Sequence, residues 1–170
     1  GPFQNLKNWF EKLKSSYVDI FTVETKSYYE ELKKTSVFKN RIEYLPNGVS
    51  LLDIDLTELD TLPKENIIVT VGRLGTYEKN NSLLLNAIRN LPIELVKKWE
   101  FLLIGPSTQE FSKEVALFKE KNPAIANCIN MTGEINNRNT LYSYLRRAKI
   151  ICMTSLSEST CISTLEGMYF

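Results

Sequence analysis

Hydrophobic and polar positions follow a regular order from residue 67 onward. Short apolar runs without polar alternation are separated by segments whose apolar residues recur at helical spacing. The runs predict strands at 67–71, 101–104, 128–132 and 150–153, and the spacing predicts helices at 81–91, 109–121, 138–147 and from about 160. Strands without alternation are buried on both faces. This order therefore predicts four βα units of a doubly wound, Rossmann-like α/β fold with a parallel sheet.

The first part of the chain is less regular. Its pattern predicts a helix over 5–17, a short strand at 17–23, a second helix at 25–36 and an extended segment at 41–45. Residues 50–66 mix Leu and Ile with Asp and Glu without a clean period, which indicates a loop or linker.

Composition excludes several classes of protein. The 170 residues are 43% hydrophobic and 24% charged, as in an ordinary folded domain, and a net charge of +1 argues against nucleic acid as a partner. The chain has no histidine, and its cysteines (Cys128, Cys152 and Cys161) lack metal-binding spacing, so we expect no metal site. Scattered, odd-numbered cysteines suit a reducing, cytoplasmic location. No apolar run approaches the ~18 residues that a membrane span needs.

Chemistry is expected where the predicted parallel strands end. Gly72 and Arg73 follow the first of the four strands, with Lys79 shortly after, and Gly133 follows the third. Glycine lets the backbone approach a ligand closely, and the two cations suit a diphosphate. The fourth strand leads into a hydroxyl-rich loop, 155–161, that opens a helix and can attract a phosphate. Since no G-x-G-x-x-G or Walker A sequence is present, a nucleoside diphosphate sugar is the ligand that fits best, as a substrate and without a cofactor.

Three segments in this order carry a family resemblance: Pro46-Asn47-Gly48-Val49, Val71-Gly72-Arg73-Leu74 with Lys79, and Glu158-x7-Glu166. Together they resemble the group 1 family of retaining glycosyltransferases, which has the GT-B fold. The resemblance implies transfer of a sugar, with retention and without a metal, to a glycan or lipid-linked acceptor in polysaccharide biosynthesis.

The resemblance also implies roles for individual residues. Arg73 and Lys79 would hold the diphosphate, Glu158 would be the catalytic carboxylate facing the transferred sugar, and Glu166 would bind the ribose. Backbone amides at Thr160, Cys161 and Ile162 would contact phosphate. Thr160 and Cys161 depart from the family, which usually has an aromatic residue and a glycine at these places.

The resemblance further implies that residues 1–45 are a remnant of the N-terminal acceptor domain, and that 46–170 are an incomplete C-terminal nucleotide-sugar-binding domain. An isolated fragment of this kind is expected to be inactive in transfer. Lysines on the aromatic helix at 5–17 allow a peripheral contact at the inner face of the membrane. An apolar sheet edge at 149–154 would favour self-association, or would be covered by a rearranged segment such as 19–23.

Other functions remain open at this point. A nucleotide-sugar epimerase or a phosphorylase can share the fold, although the spacing of Glu158 and Glu166 favours a transferase. A non-catalytic nucleotide-binding module is a further alternative. A phospho-receiver domain is disfavoured, because it needs acidic residues after the first and third strands, where this chain has Gly72-Arg73 and Gly133-Glu134.

Overall fold

The computed structural model describes residues 17–34, 41–52, 54–158 and 160–170. The chain forms two compact units, Gly1–Gly48 and Val49–Phe170, a boundary three residues beyond the one predicted. Except for Tyr17, the predicted N-terminal helix lies outside the described residues, and so does the membrane contact assigned to it. Within the described ranges, no helix combines the length and apolar character that crossing a bilayer requires.

The first unit contains strand β1 (Phe21–Val23), helix α1 (Lys26–Lys33) and strand β2 (Ile42–Tyr44). The two strands pair in parallel, with Phe21 opposite Ile42 and Val23 opposite Tyr44. The backbone of β1 thus bonds to the extended segment at 42–44, and the alternative that residues 19–23 cover the edge of the main sheet stays a prediction.

The second unit alternates strands and helices as the apolar runs predict. Its elements are α2 (Leu56–Asp60), β3 (Glu65–Val71), α3 (Ser82–Asn90), α4 (Ile93–Val96), β4 (Glu100–Ile104), α5 (Gln109–Lys121), β5 (Ile129–Gly133), α6 (Arg138–Arg147), β6 (Ala148–Ile151) and α7 (Ile162–Tyr169). The strands form a parallel sheet in the order β5-β4-β3-β6, which confirms the doubly wound Rossmann-like fold.

Both faces of this sheet are covered. In β4, Phe101 and Leu103 pack into a cluster with residues of α3 and α5, whereas Leu102 and Ile104 pack into a second cluster with residues of α2 and α6. Successive side chains of a strand point to opposite faces, so two buried faces require an uninterrupted apolar run. This is the physical reason that the strands lack alternation.

The segment predicted as a linker at 50–66 is partly ordered, which corrects that prediction. It contains α2, where the carboxylate of Asp55 accepts a hydrogen bond from the backbone N–H of Glu58 at 3.1 Å. Leu59 of this helix is only 4% exposed and belongs to the second core cluster. A capped helix of one and a half turns is too short to show a period in the sequence.

Strand β6 lies at one edge of the sheet. Among the described strands it pairs with β3 alone, and Ile150 is half exposed there. It covers residues 148–151 rather than the predicted 150–153, so Cys152 and Met153 already belong to the loop that follows. Self-association through this edge stays a prediction.

Candidate functional site

The loops that follow β3 and β4 and the end of β5 are joined by backbone hydrogen bonds at the carboxyl edge of the sheet. The N–H of Leu74 donates to the carbonyl of Pro106 at 2.8 Å, and the N–H of Thr108 donates back to Leu74 at 3.0 Å. The N–H of Gly105 donates to the carbonyl of Gly133 at 2.8 Å. The first two loops therefore continue the parallel pairing beyond the strands, and the second loop is bonded to the last residue of β5.

Glycine is required where these loops meet. A Cβ on Gly105 would lie 2.0 Å from the carbonyl oxygen of Gly72, and Gly105 has a φ of +132°. No side chain fits such an approach, and few residues adopt that backbone conformation. Gly105 and the predicted Gly72 thus bring backbone against backbone. Gly133 differs, because its φ of +74° comes with open space around the position of a Cβ.

The fourth loop, which follows β6, is tied to the first. The hydroxyl of Thr154 donates to the carbonyl of Lys79 at 2.9 Å, and the N–H of Leu156 donates to the carbonyl of Glu78 at 2.8 Å. On α7, the hydroxyl of Ser163 donates to the carbonyl of Val71 at 3.2 Å. These contacts place the start of α7 against the end of β3.

Lys79 and Glu158 form an ion pair at this junction, although they are far apart in sequence. Their side chains are 18% and 29% exposed, and the same carboxylate oxygen, Oε1 of Glu158, accepts from the hydroxyl of Ser155 at 2.6 Å. The hydrogen bond from Lys79 and then that from Ser155 lower the pKa of Glu158, with a smaller contribution from the charge of Arg73. The structure thus brings three of the predicted site residues into one electrostatic cluster.

Gly72 completes this cluster. The position of a Cβ on Gly72 lies 3.6 Å from Cε of Lys79, so the lysine side chain extends past the bare backbone of Gly72. This separation is an ordinary van der Waals contact, so Gly72 lies directly beside the side chain that reaches Glu158.

Arg73 is exposed and borders an open cavity of about 280 Å³ at the ends of β3, β4 and β5. Its lining is mostly apolar or glycine, with one carboxylate residue: Val71, Gly72, Ile104, Gly105, Pro106, Glu134, Ile135 and Leu141. Mostly apolar walls with a few polar groups are the usual composition of a small-molecule pocket.

The N-terminus of α7 lies in the same region. Cys161 precedes the helix in an extended conformation, and its Sγ accepts a hydrogen bond from the hydroxyl of Thr164 at 3.1 Å. Ile162 is exposed, and the hydroxyl oxygen of Thr160 is buried without a hydrogen-bond partner among the described residues. The first N–H groups of a helix have no partner within it and favour an anion.

Glu166 lies in a separate hydrogen-bonded group with Arg138 and Tyr142 of α6, and it does not contact the Lys79–Glu158 pair. It is 4% exposed, forms an ion pair with Arg138 and accepts from the hydroxyl of Tyr142 at 3.1 Å. Burial, followed by the charge of Glu166, raises the pKa of Tyr142. Glu166 was predicted from its motif alone, which gave no indication of these partners on α6.

Sequence reasoning missed Arg138, Tyr142 and Asn81, and it included Ser155 only as a member of the hydroxyl-rich loop after the fourth strand. Asn81 is buried and accepts from the N–H of Gly75 at 2.8 Å, which holds the loop after β3. The four-residue spacing of Arg138 and Tyr142 places them on one helix face, but that spacing is common and names no partner. In the described ranges, no group of three or more His, Cys, Asp or Glu side chains could hold a metal ion.

A family model described as "Glycosyl transferases group 1" matches residues 56–170. No curated protein sequence matches the chain. Among solved structures, the chain is similar to a mutant of S. aureus TarM in complex with fondaparinux, alpha-GlcNAc-glycerol and UDP. The TM-score is 0.69 at 18% identity, over 95% of this chain and 30% of TarM.

Two further structures share the fold. Anabaena HepE in complex with UDP and glucose matches with a TM-score of 0.67 and 14% identity, over 92% of this chain and 43% of HepE. The pneumococcal O-GlcNAc transferase GtfA in complex with UDP and GlcNAc matches with a TM-score of 0.65 and 17% identity, over 94% of this chain and 30% of GtfA. The chain thus spans less than half the length of these proteins.

Proposed function

The chain belongs to the group 1 glycosyltransferases, and we propose that it forms the part of such an enzyme that binds a nucleoside diphosphate sugar. The observation that carries the proposal is the meeting of Gly72, Lys79 and Glu158 beside Arg73 and the start of α7. A cation pair and a helix N-terminus are suited to a diphosphate, and an adjacent carboxylate is suited to the hydroxyls of a sugar.

In this proposal Arg73 and Lys79 neutralise the diphosphate as it leaves, together with the amides of Thr160, Cys161 and Ile162. Charges that are already in place when negative charge develops stabilise a transition state without reorganisation. Glu158 faces the transferred sugar, and Glu166 binds the ribose. Gly72 and Gly133 let the ligand approach the backbone. The cavity bordered by Arg73 takes the base, with Ile135 and Leu141 as apolar walls.

The proposal also covers the complete reaction, including its stereochemistry, its acceptor and its location. We propose transfer with retention of configuration to a glycan or lipid-linked acceptor, in the cytoplasm. The TarM, HepE and GtfA structures contain UDP, and TarM and GtfA contain GlcNAc-bearing molecules. These ligands make UDP the first nucleotide to test, with GDP and ADP beside it.

Calorimetry with UDP and uridine tests the proposed phosphate site. Lys79→Ala should weaken UDP binding about tenfold or more, because a charge-assisted hydrogen bond contributes ~1.5–3 kcal/mol. Binding of uridine, which has no phosphate, should not change. Lys97→Ala is the matched control: it also removes a lysine from an ion pair, with Glu94 at 3.2 Å, but Lys97 lies near the amino end of β4. Equal UDP affinity of Lys79→Ala and the parent would contradict the assignment.

A further inference from the structure

A buried hydrogen-bonded cluster joins helices α6 and α7. Tyr142 is 1% exposed, and its hydroxyl lies 3.1 Å from Oε1 of Glu166. Arg138, one turn earlier on α6, reaches the same oxygen, but its side chain is largely exposed. Of the two partners, the tyrosine is therefore held in place by the core, whereas the arginine is accessible to solvent.

Packing fixes the position of the Tyr142 hydroxyl. The ring belongs to the second core cluster and packs against the ring of Phe170, with 5.1 Å between the centroids. The hydroxyl also lies 3.2 Å from the carbonyl oxygen of Ser50. It has one proton for two acceptors, and a charged carboxylate accepts more strongly than a carbonyl. The proton is thus directed to Glu166.

The contacts to Glu166 are one-sided. Within the described residues, both hydrogen bonds to its carboxylate end on Oε1. Two donors that approach one oxygen from different residues restrict rotation of the carboxylate, and so restrict the direction of its other oxygen. Oε2 is therefore the oxygen that remains to accept from a ligand, and Tyr142 is the buried one of the two donors that restrict its direction.

We propose that Tyr142 is a positioning residue that orients Glu166 toward the ribose hydroxyls of the bound nucleotide. The inference rests on the proposed function, since it assigns a supporting group to the same donor site. It goes beyond that function in naming a residue that never touches the ligand and yet determines the selectivity for ribose over a sugar without hydroxyls.

The test compares UDP with 2′,3′-dideoxy-UDP by calorimetry on the parent chain and four variants: Tyr142→Phe, Glu166→Gln, the double variant and Tyr144→Phe. Tyr144 lies on the same helix, and the same substitution there leaves Glu166 untouched. The parent should prefer UDP about tenfold, the value of one charge-assisted hydrogen bond. Tyr142→Phe should reduce this preference to about threefold or less, with little change for the dideoxy form. Tyr144→Phe should keep the preference of the parent.

The outcomes separate the possible explanations. A non-additive double variant, no less selective than Glu166→Gln alone, would support action through Glu166. If Tyr142→Phe weakened both nucleotides equally, the tyrosine would have a structural role only and the inference would be wrong. Thermal unfolding shows whether Tyr142→Phe is folded, and Glu166→Gln alone still tests the ribose contact. If the parent bound neither nucleotide, the proposed function would fail, and the inference with it. If it bound UDP but without ribose selectivity, the inference alone would fail.

Discussion

The ion pair between Lys79 and Glu158 predicts that a substitution within the candidate site strengthens UDP binding. A diphosphate that uses Lys79 has to displace the carboxylate of Glu158, which holds the lysine in the absence of ligand. Removing the negative charge from Glu158 should therefore strengthen the binding of UDP. Glu158→Gln keeps the shape of the side chain and still allows a hydrogen bond from Ser155.

The expected gain in UDP affinity follows from the solvent exposure of the Lys79–Glu158 pair. Exposed ion pairs contribute ~0.2–1 kcal/mol, and side chains that are 18% and 29% exposed belong at the upper end of this range. Release from a pair worth about 1 kcal/mol corresponds to about fivefold tighter UDP binding. The gain should be smaller for the UDP sugar, because an amide accepts sugar hydroxyls less strongly than a carboxylate does. The ratio of the two affinities should therefore shift toward UDP.

Calorimetric titrations of UDP and a UDP sugar at pH 7 and pH 8 provide the assay. Lys79 and Ser155 lower the pKa of Glu158, so the carboxylate is charged at both pH values, and the effect of the substitution should be the same. Glu78→Gln is the control: its charge interacts with Arg73 and Lys79, but its pKa is lowered first by its own backbone. If Glu158→Gln weakened UDP binding, or matched Glu78→Gln, the displacement argument would be refuted.

Two further predictions concern stability. Gly105→Ala should lower the free energy of unfolding in urea by ~2 kcal/mol or more, because the new Cβ meets the carbonyl of Gly72 in a strained conformation. Gly48→Ala, with open space around it, should change this free energy by less than ~0.5 kcal/mol, and equal effects would contradict the reasoning. The hydrogen bond from Arg147 lowers the pKa of Glu65, so this pair stabilises the fold above the ordinary carboxyl pKa and loses its contribution as pH falls through the lowered value. Between about pH 5 and pH 3, the free energy of unfolding in urea should fall less for Arg147→Gln than for the parent. An equal fall in both proteins would exclude the Glu65–Arg147 pair as a cause of the pH dependence.

The sheet was predictable because its strands are buried on both faces, and this burial requires an apolar sequence that is visible in the chain. Runs such as Phe101–Ile104 are apolar at every position, and only a strand with two covered faces has that requirement. Helix α2 was not predictable in the same way, since five residues give too little length for a period. Its start was nevertheless encoded in Asp55 and Glu58, three positions apart, as in other helix caps.

The candidate site was predictable at the level of residues but not of partners. Strand ends identified Arg73 and Lys79, and the resemblance identified Glu158 and Glu166. That Lys79 pairs with Glu158 depends on β6 lying beside β3, and sheet order is set by long-range packing rather than by local pattern. The contact of Glu166 with Tyr142 likewise depends on how α6 and α7 pack.

The hydrogen bonds between the loops after β3 and β4 have a consequence for the energetics of binding. Leu74 pairs with Ser107 as a parallel rung beyond the strands, and Asn81 secures the next residue, Gly75. Ordering a backbone costs about 1–2 kcal/mol per residue, and in this loop that entropy is lost when the domain folds. In the proposed function, a nucleotide would meet amides and a cation whose scaffold is already ordered. The edge proposed to face the phosphate shares the stability of the β3–β4 pair, so a core substitution that loosens this pair should weaken nucleotide binding without altering any residue of the site.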